Sequence, residues 1–177
     1  MSVAKPLFSL GKLENAVIRI AGMKGCTEFG LKKRGLIIMC ADNGVVEEGV
    51  TQTGQEVTAA VADNFTKKAA SVAIMCGEAG TDIFPVDIGM VTDVPSVTRL
   101  VEKVAYGTKN MAREPAMTRE EAWQAVMTGV HRAEELKEQG YDILATGEMG
   151  IGNTTTSSAV AAVLLDRPVE EVTGKGA

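Results

Sequence analysis

Leu10, Leu13, Val17, Ile20 and Ala21 recur at steps of three and four, a spacing that predicts a helix with one apolar face. Ser9 stands just before it as a candidate cap, and Gly22 and Gly25 break the pattern. The next segment is continuous rather than periodic. Gly35-Leu-Ile-Ile-Met-Cys-Ala-Asp42 is apolar up to its final carboxylate, and its β-branched content predicts a strand buried on both faces. Helical spacing returns with Val57, Val61, Phe65, Ala69, Val72, Ala73 and Cys76, predicting one helix over 56–78. Ile83, Phe84 and Val86 mark a second strand over 82–87.

Residues 88–115 have weak periodicity and read as an excursion or loop. Thr118-Arg-Glu-Glu121 matches a capping box, in which Thr118 and Glu121 satisfy each other's backbone donors. The helix it opens carries Ala122, Val126, Val130, Ala133 and Leu136 on one face and stops at Gly140. A third strand over 141–146 runs into Gly147-Glu-Met-Gly-Ile-Gly-Asn-Thr-Thr-Thr156, and the small and aliphatic residues to Leu165 predict a last helix. Strands alternating with helices predict an α/β fold with a mainly parallel, Rossmann-like sheet flanked by helices. Residues 1–34 are expected as an N-terminal helical element of a smaller helical domain, and 35–177 as the α/β domain.

Each predicted strand ends in a carboxylate: Asp42, Asp87, and Glu148 just beyond the third. Parallel strands bring all three to one end of the sheet, where ligands of such folds bind. Acids at strand ends also cap helices or turns, a use equally open to any one of the three, while three together at one edge, each beside a glycine-containing loop, favour a site. The glycine segment at 147–156 is the sharpest signal. Glycines let backbone approach a ligand closely, and the helix behind them presents free N–H groups and partial positive charge, which suits a phosphate. Asn153, Thr154 and Thr155 add neutral donors. The Gly-Lys-Ser/Thr ending of a Walker loop is missing, and a tight structural turn is the competing reading.

Composition narrows the partners. Hydrophobic residues make up 45% and aromatics only 4%, so the core must be aliphatic, with nine methionines filling gaps. The net charge of −5, without a basic run, argues against nucleic acid. Cys40 and Cys76 lie in apolar runs as buried thiols, and a single histidine, His131, leaves no zinc pattern; no metal and no cofactor are expected. No stretch has membrane-spanning length and no secretory leader opens the chain, so a cytoplasmic protein without membrane contact is expected.

Gly147 to Thr156 closely resembles the GEMGIGNTT signature of the nicotinate-nucleotide–dimethylbenzimidazole phosphoribosyltransferases. Other segments agree in the family's order. They are Lys5-Pro6 with Ser9-Leu-Gly-Lys-Leu-Glu14, Ala41-Asp-Asn-Gly-Val45, Glu48-Gly-Val-Thr51, Gln55-Glu-Val-Thr58, Val86-Asp-Ile-Gly89, Gly107-Thr-Lys-Asn110 and Glu114-Pro-Ala-Met-Thr118. The resemblance spans essentially the whole chain. It implies an enzyme, a pentosyltransferase that moves the phosphoribosyl group of nicotinate mononucleotide to 5,6-dimethylbenzimidazole or a related base. The products are α-ribazole 5′-phosphate and nicotinate, in the activation of a cobamide lower ligand. It also implies a homodimer and makes 35–177 a phosphoribosyltransferase domain.

By position, the resemblance places Glu148 beside the ribose and reacting centre. Gly150, Gly152, Asn153, Thr154 and Thr155 fall in the phosphate and ribose cradle. Thr51, Thr53 and Gln55 match the loop around the base, with Gln55 its polar contact. Gly174 and Gly176 open a second glycine-rich segment. Two departures stand out. Asn43 and Thr53-Gly54 occupy positions where the family often has His and Tyr-Pro, which implies a looser slot open to other bases. Family members are also much longer, and the family's general base lies in a half expected beyond Ala177. The alternative reading is therefore a nucleotide- and base-binding subunit that needs a missing half or a partner chain to complete catalysis.

Overall fold

The computed structural model describes residues 4–100 and 103–174, with backbone only at 98–100. The chain divides into two compact units, Met1–Lys32 and Lys33–Ala177. In the first, helix α1 spans Lys12–Lys24, with Glu14 in its first turn and Lys24 in its last, each at the helix end that favours its charge. The Ser9 cap expected from the sequence is not made: the N-cap is Gly11, and no side chain closes the first turn. Ser9 sits two residues too early, inside a tight bend where its N–H donates to Pro6 O at 3.3 Å and Gly11 N–H to Phe8 O at 3.0 Å.

The second unit is built on three parallel strands, β1 (Arg34–Ala41), β2 (Thr81–Gly89) and β3 (Ile143–Met149), in the order β2-β1-β3. β1 is central and explains its own continuous apolar run, because alternate residues point to opposite faces and both faces are covered. On one face Leu36, Ile38 and Cys40 pack with Ala62 and Phe65 of α2 (Glu56–Thr66) and with Met90, Val94 and Val97. On the other, Ile37 and Val86 pack with Leu136 of α4 (Arg119–Glu138). The capping box opening α4 forms as the sequence predicts: Glu121 N–H donates to Thr118 Oγ1 at 3.1 Å, and Thr118 N–H to Glu121 Oε2 at 2.7 Å.

Two expectations are corrected, and the loop expected over 88–115 is found with one short 3-10 turn in it. The helix over 56–78 is two helices, α2 and α3 (Ser71–Ala79), broken by a turn in which Lys68 takes φ 56°. A non-glycine residue in left-handed conformation carries no sequence signal, so periodicity on both sides reads as continuous. The third strand extends through Gly147 and Glu148 to Met149, so Glu148 lies in β3, paired with Met39, rather than beyond it. The excursion at 88–115 contains a 3-10 turn (Pro95–Leu100) and then folds back over the strand ends. There Val104 N–H donates to Ile88 O at 2.9 Å, Gly107 N–H to Gly89 O at 3.0 Å and Thr108 N–H to Asp42 O at 3.0 Å. After β3 come α5 (Asn153–Leu165) and the short α6 (Val169–Val172).

The three thiols are unequal: Cys26 is exposed, Cys76 is half-buried rather than buried, and Cys40 is fully buried in the core. Burial first, and then the charges of Asp87, Glu148 and Asp42, push the Cys40 thiol up to about 12. Since an unperturbed thiol releases its proton near 9.0, this group's contribution to stability is whole below that pH and is lost as pH climbs towards 12. A thiol-reactive chromophore at neutral pH should therefore titrate Cys26 at once, Cys76 slowly and Cys40 only on unfolding. Fast reaction of all three in the native chain would contradict this core.

Candidate functional site

In a sheet of order β2-β1-β3 the chain reverses its direction of winding between β1 and β3, and the crevice beyond that point is where open α/β sheets place ligands. Asn43 and the Gly150–Gly152 turn meet there. Asn43 Nδ2 donates to Ile151 O at 3.0 Å, and its Oδ1 lies 3.3 Å from the Thr156 hydroxyl. Its backbone carbonyl accepts from Gln55 Nε2 at 3.2 Å. Ile151 N–H donates to Thr58 Oγ1 of α2 at 3.1 Å, and Thr58 is fully buried. One asparagine thus ties the end of β1 to the glycine turn, the first turn of α5 and the loop before α2. The sequence marked Asn43 only as a departure from the family pattern. Its position between Asp42 and Gly44, immediately after the central strand, was the available signal.

The glycines of the turn are set by the chain's own packing. A Cβ on Gly150 would lie 2.2 Å from Ala41 O, and one on Gly152, at φ +85°, would lie 2.9 Å from Val46 Cγ2. What the turn leaves open is the start of α5, whose N-cap is Gly152 with no side-chain cap. Asn153, Thr154 and Thr155 form that first turn, with Thr154 exposed. Asn153 Nδ2 donates to Glu148 Oε1, which holds the carboxylate against the helix start.

The three strand-end acids share one end of the sheet but not one face. Asp87 is in register with Cys40 and Glu148 with Met39, so their side chains point to opposite sides. Asp42 and Asp87, each 1% exposed, hold the turn after β2: Asp42 Oδ2 accepts from Val91 N–H and Asp87 Oδ1 from Met90 N–H, both at 2.8 Å. Lys103 Nζ pairs with Asp87 at 3.0 Å and Asp93 at 2.5 Å. Burial alone would lower its pKa; hydrogen bonds to Asp93 and Asp87 outweigh that and hold it above the usual value.

Of the base-loop residues, Gln55 joins the cluster through Asn43, whereas Thr51 spends its hydroxyl on Thr53 O at 2.8 Å and Thr53 faces solvent. Gly174 lies past α6 with no atom within 4 Å of a Cβ built on it, and Gly176 lies outside the described residues. An open apolar groove of about 920 Å³ runs beside the crevice, lined by Asn43, Thr108, Met117 and Thr156 and by Val160 and Leu164 of α5. Glu148 does not line it. Among the described residues no three His, Cys, Asp or Glu side chains gather as a metal site, and no helix is long and apolar enough to cross a membrane.

A parallel sheet covered by helices on both faces, with a glycine turn leading into a helix at its C-terminal end and a carboxylate held at that helix start, defines a doubly wound α/β protein. A phosphoribosyltransferase family profile matches residues 1–177, and the chain belongs to the nicotinate-nucleotide–dimethylbenzimidazole phosphoribosyltransferase family. Relatives bearing that name include one from Clostridium tetani, 46% identical over 99% of this chain and 48% of its own length. Another, from Acetivibrio thermocellus, is 47% identical over 99% of this chain and 50% of its own. The crystal structure of CobT from Thermus thermophilus superimposes with a TM-score of 0.89 at 37% identity, covering 98% of this chain and 53% of that one. The chain therefore spans about half the length of the relatives it matches.

Proposed function

We propose that this chain supplies the nucleotide side of a phosphoribosyl transfer from nicotinate mononucleotide to a benzimidazole-type base, giving α-ribazole 5′-phosphate and nicotinate. The observation that carries the reading is the Glu148–Asn153 contact, which fixes a carboxylate beside the uncapped start of α5. The phosphate of the donor suits that helix start, with Asn153, Thr154 and Thr155 as neutral donors. Glu148 then faces the ribose. A nitrogen lone pair of the base attacks C1′ while the C1′–N bond breaks, its electron pair leaving on the nicotinate ring nitrogen. Configuration inverts, and the N–H proton of the base passes to a general base in the half of the family's length outside this chain. The negative charge of Glu148 stabilises the positive charge that develops at C1′.

Chromatographic assay of nicotinate release tests this, on the chain and on a full-length chimera in which it precedes the second half of the Clostridium tetani relative. Release is expected to require both substrates and to fall by about 100-fold in Glu148→Gln. Release from the chimera alone would make this chain the substrate-binding half. No release from either protein would refute the reading.

Thr53, exposed, and Gly54, half-buried, leave the base loop without an aromatic wall. Other benzimidazoles and purines are expected to react with kcat/KM within about tenfold of dimethylbenzimidazole, since one methyl in an apolar slot discriminates only modestly. Rejection of every alternative by three orders of magnitude would show a closed slot.

A further inference from the structure

The segment from Lys103 to Asn110 runs across the carboxyl ends of β2 and β1 and is pinned at both of its own ends. At one, Lys103 pairs with buried Asp87 at 3.0 Å and lies over the Tyr106 ring at 4.0 Å. At the other, buried Asn110 donates from Nδ2 to Glu48 Oε1 at 2.7 Å and accepts from Ala112 N–H at 3.0 Å. Between them, Val104, Gly107 and Thr108 donate their backbone N–H groups to Ile88, Gly89 and Asp42. The segment also passes close over Gly44, where a Cβ would lie 2.5 Å from Thr108 O and from Lys109 C. Such a segment cannot slide.

Thr108 is where this segment meets the crevice. Its backbone N–H donates to Asp42 O at 3.0 Å, and its Oγ1 accepts from Gly44 N–H at 3.1 Å. Asp42 O belongs to the peptide group before Asn43 and Gly44 N–H to the one after it. One threonine therefore grips both peptide planes that flank the Asn43 Cα. Peptide groups are rigid, so holding the two planes sets φ and ψ of Asn43 and the direction of its Cα–Cβ bond. Gln55 Nε2 grips the second plane from its other side, at Asn43 O. The side chain so aimed is the one that reaches Ile151 O and the Thr156 hydroxyl.

We infer that Thr108 is a positioning residue of the crevice. By fixing the backbone on both sides of Asn43 it aims that side chain, and so holds the glycine turn and the start of α5 where the donor's phosphate binds. Only the last step rests on the proposed transfer; the grip on Asn43 is independent of it. β-Branching restricts the Thr108 side chain to few rotamers, which keeps its acceptor facing Gly44.

Thr108→Val keeps the shape and removes the acceptor, and Thr108→Ser restores it. In the isotope-labelled chain, the Gly44 and Ile151 amides should exchange at least about tenfold faster in Thr108→Val and at the parental rate in Thr108→Ser. Gly107, bonded to Gly89 O, should be unchanged in both. Kinetics are read in whichever protein releases nicotinate, the chain or the chimera. There the KM for nicotinate mononucleotide should rise about tenfold in Thr108→Val with kcat within about twofold. A loosened phosphate site weakens ground state and transition state alike. Thr118→Ala, which removes the α4 cap, should lower the Tm and leave both Ile151 exchange and KM unchanged. Parental exchange at Ile151 in Thr108→Val, or a Thr108→Ser variant as impaired as Thr108→Val, would overturn the inference. A raised KM with undisturbed amides would make Thr108 a direct substrate contact, and an equal rise in Thr118→Ala a mere loss of stability; either result overturns it too. No release from either parent protein would refute the transfer, and the exchange rates would still decide whether Thr108 holds Asn43.

Discussion

Gly150→Ala is expected to destabilise the α/β unit by about 3 kcal/mol or more, because the added methyl meets backbone that cannot move aside. Its Cβ would stand 2.2 Å from the carbonyl oxygen of Ala41 and 3.0 Å from Asn43 Nδ2. Ala41 ends the central strand, which is held by β2 on one side and β3 on the other. Relieving the clash means pulling the glycine turn off β1, which breaks the Asn43–Ile151 and Ile151–Thr58 hydrogen bonds together. Gly22→Ala is the matching control. It lies inside α1 with nothing within 4 Å of the added carbon. There the substitution should stabilise by roughly 0.5–1 kcal/mol through helix propensity alone. Urea unfolding followed by circular dichroism reads both. A Gly150→Ala midpoint equal to that of the parent would mean that the turn is not locked against β1.

The fold was legible where a residue's role is local or where burial is total. β1 announces itself because a strand covered on both faces has no polar positions to interrupt it, and the capping box because both of its bonds lie within four residues. The break at Lys68 was not legible, since backbone strain at a lysine leaves no mark in the pattern of apolar positions. The end of β3 was misplaced for a related reason: Gly147 reads as a turn, yet it keeps strand geometry beside Ile38. In the site, the glycine turn could be found from its signature, but what the glycines do could not. Their need comes from Ala41 and Val46, about a hundred residues away in sequence. The same holds for the carboxylates. Their gathering at one end follows from parallel strands, while their division between two faces depends on a register that only pairing fixes.

Asn43→Asp is expected to be the most damaging isosteric change in the crevice, costing about 2–3 kcal/mol and weakening nicotinate mononucleotide binding by tenfold or more. The side chain keeps its shape and its Oδ1 acceptor for Thr156, but the donor to Ile151 O becomes a carboxylate oxygen facing a carbonyl oxygen. Asn43→Ala removes the same donor without adding charge, so it should cost less, about 1–2 kcal/mol. That order separates an electrostatic role from a packing one. Acidification sharpens the test. A new carboxylate forced against Ile151 O has its pKa raised in the folded state, and once protonated it becomes a donor to that oxygen. The aspartate variant should therefore recover stability relative to its parent as pH falls through the carboxylate range, while the alanine variant should not. Thr156→Val completes a cycle. Because Thr156 and Asn43 share one contact, their alanine and valine changes should couple by about 0.5 kcal/mol or more. Simple additivity, with no recovery in acid, would leave Asn43 as filler between the strand end and the turn, and not the residue that holds the crevice in register.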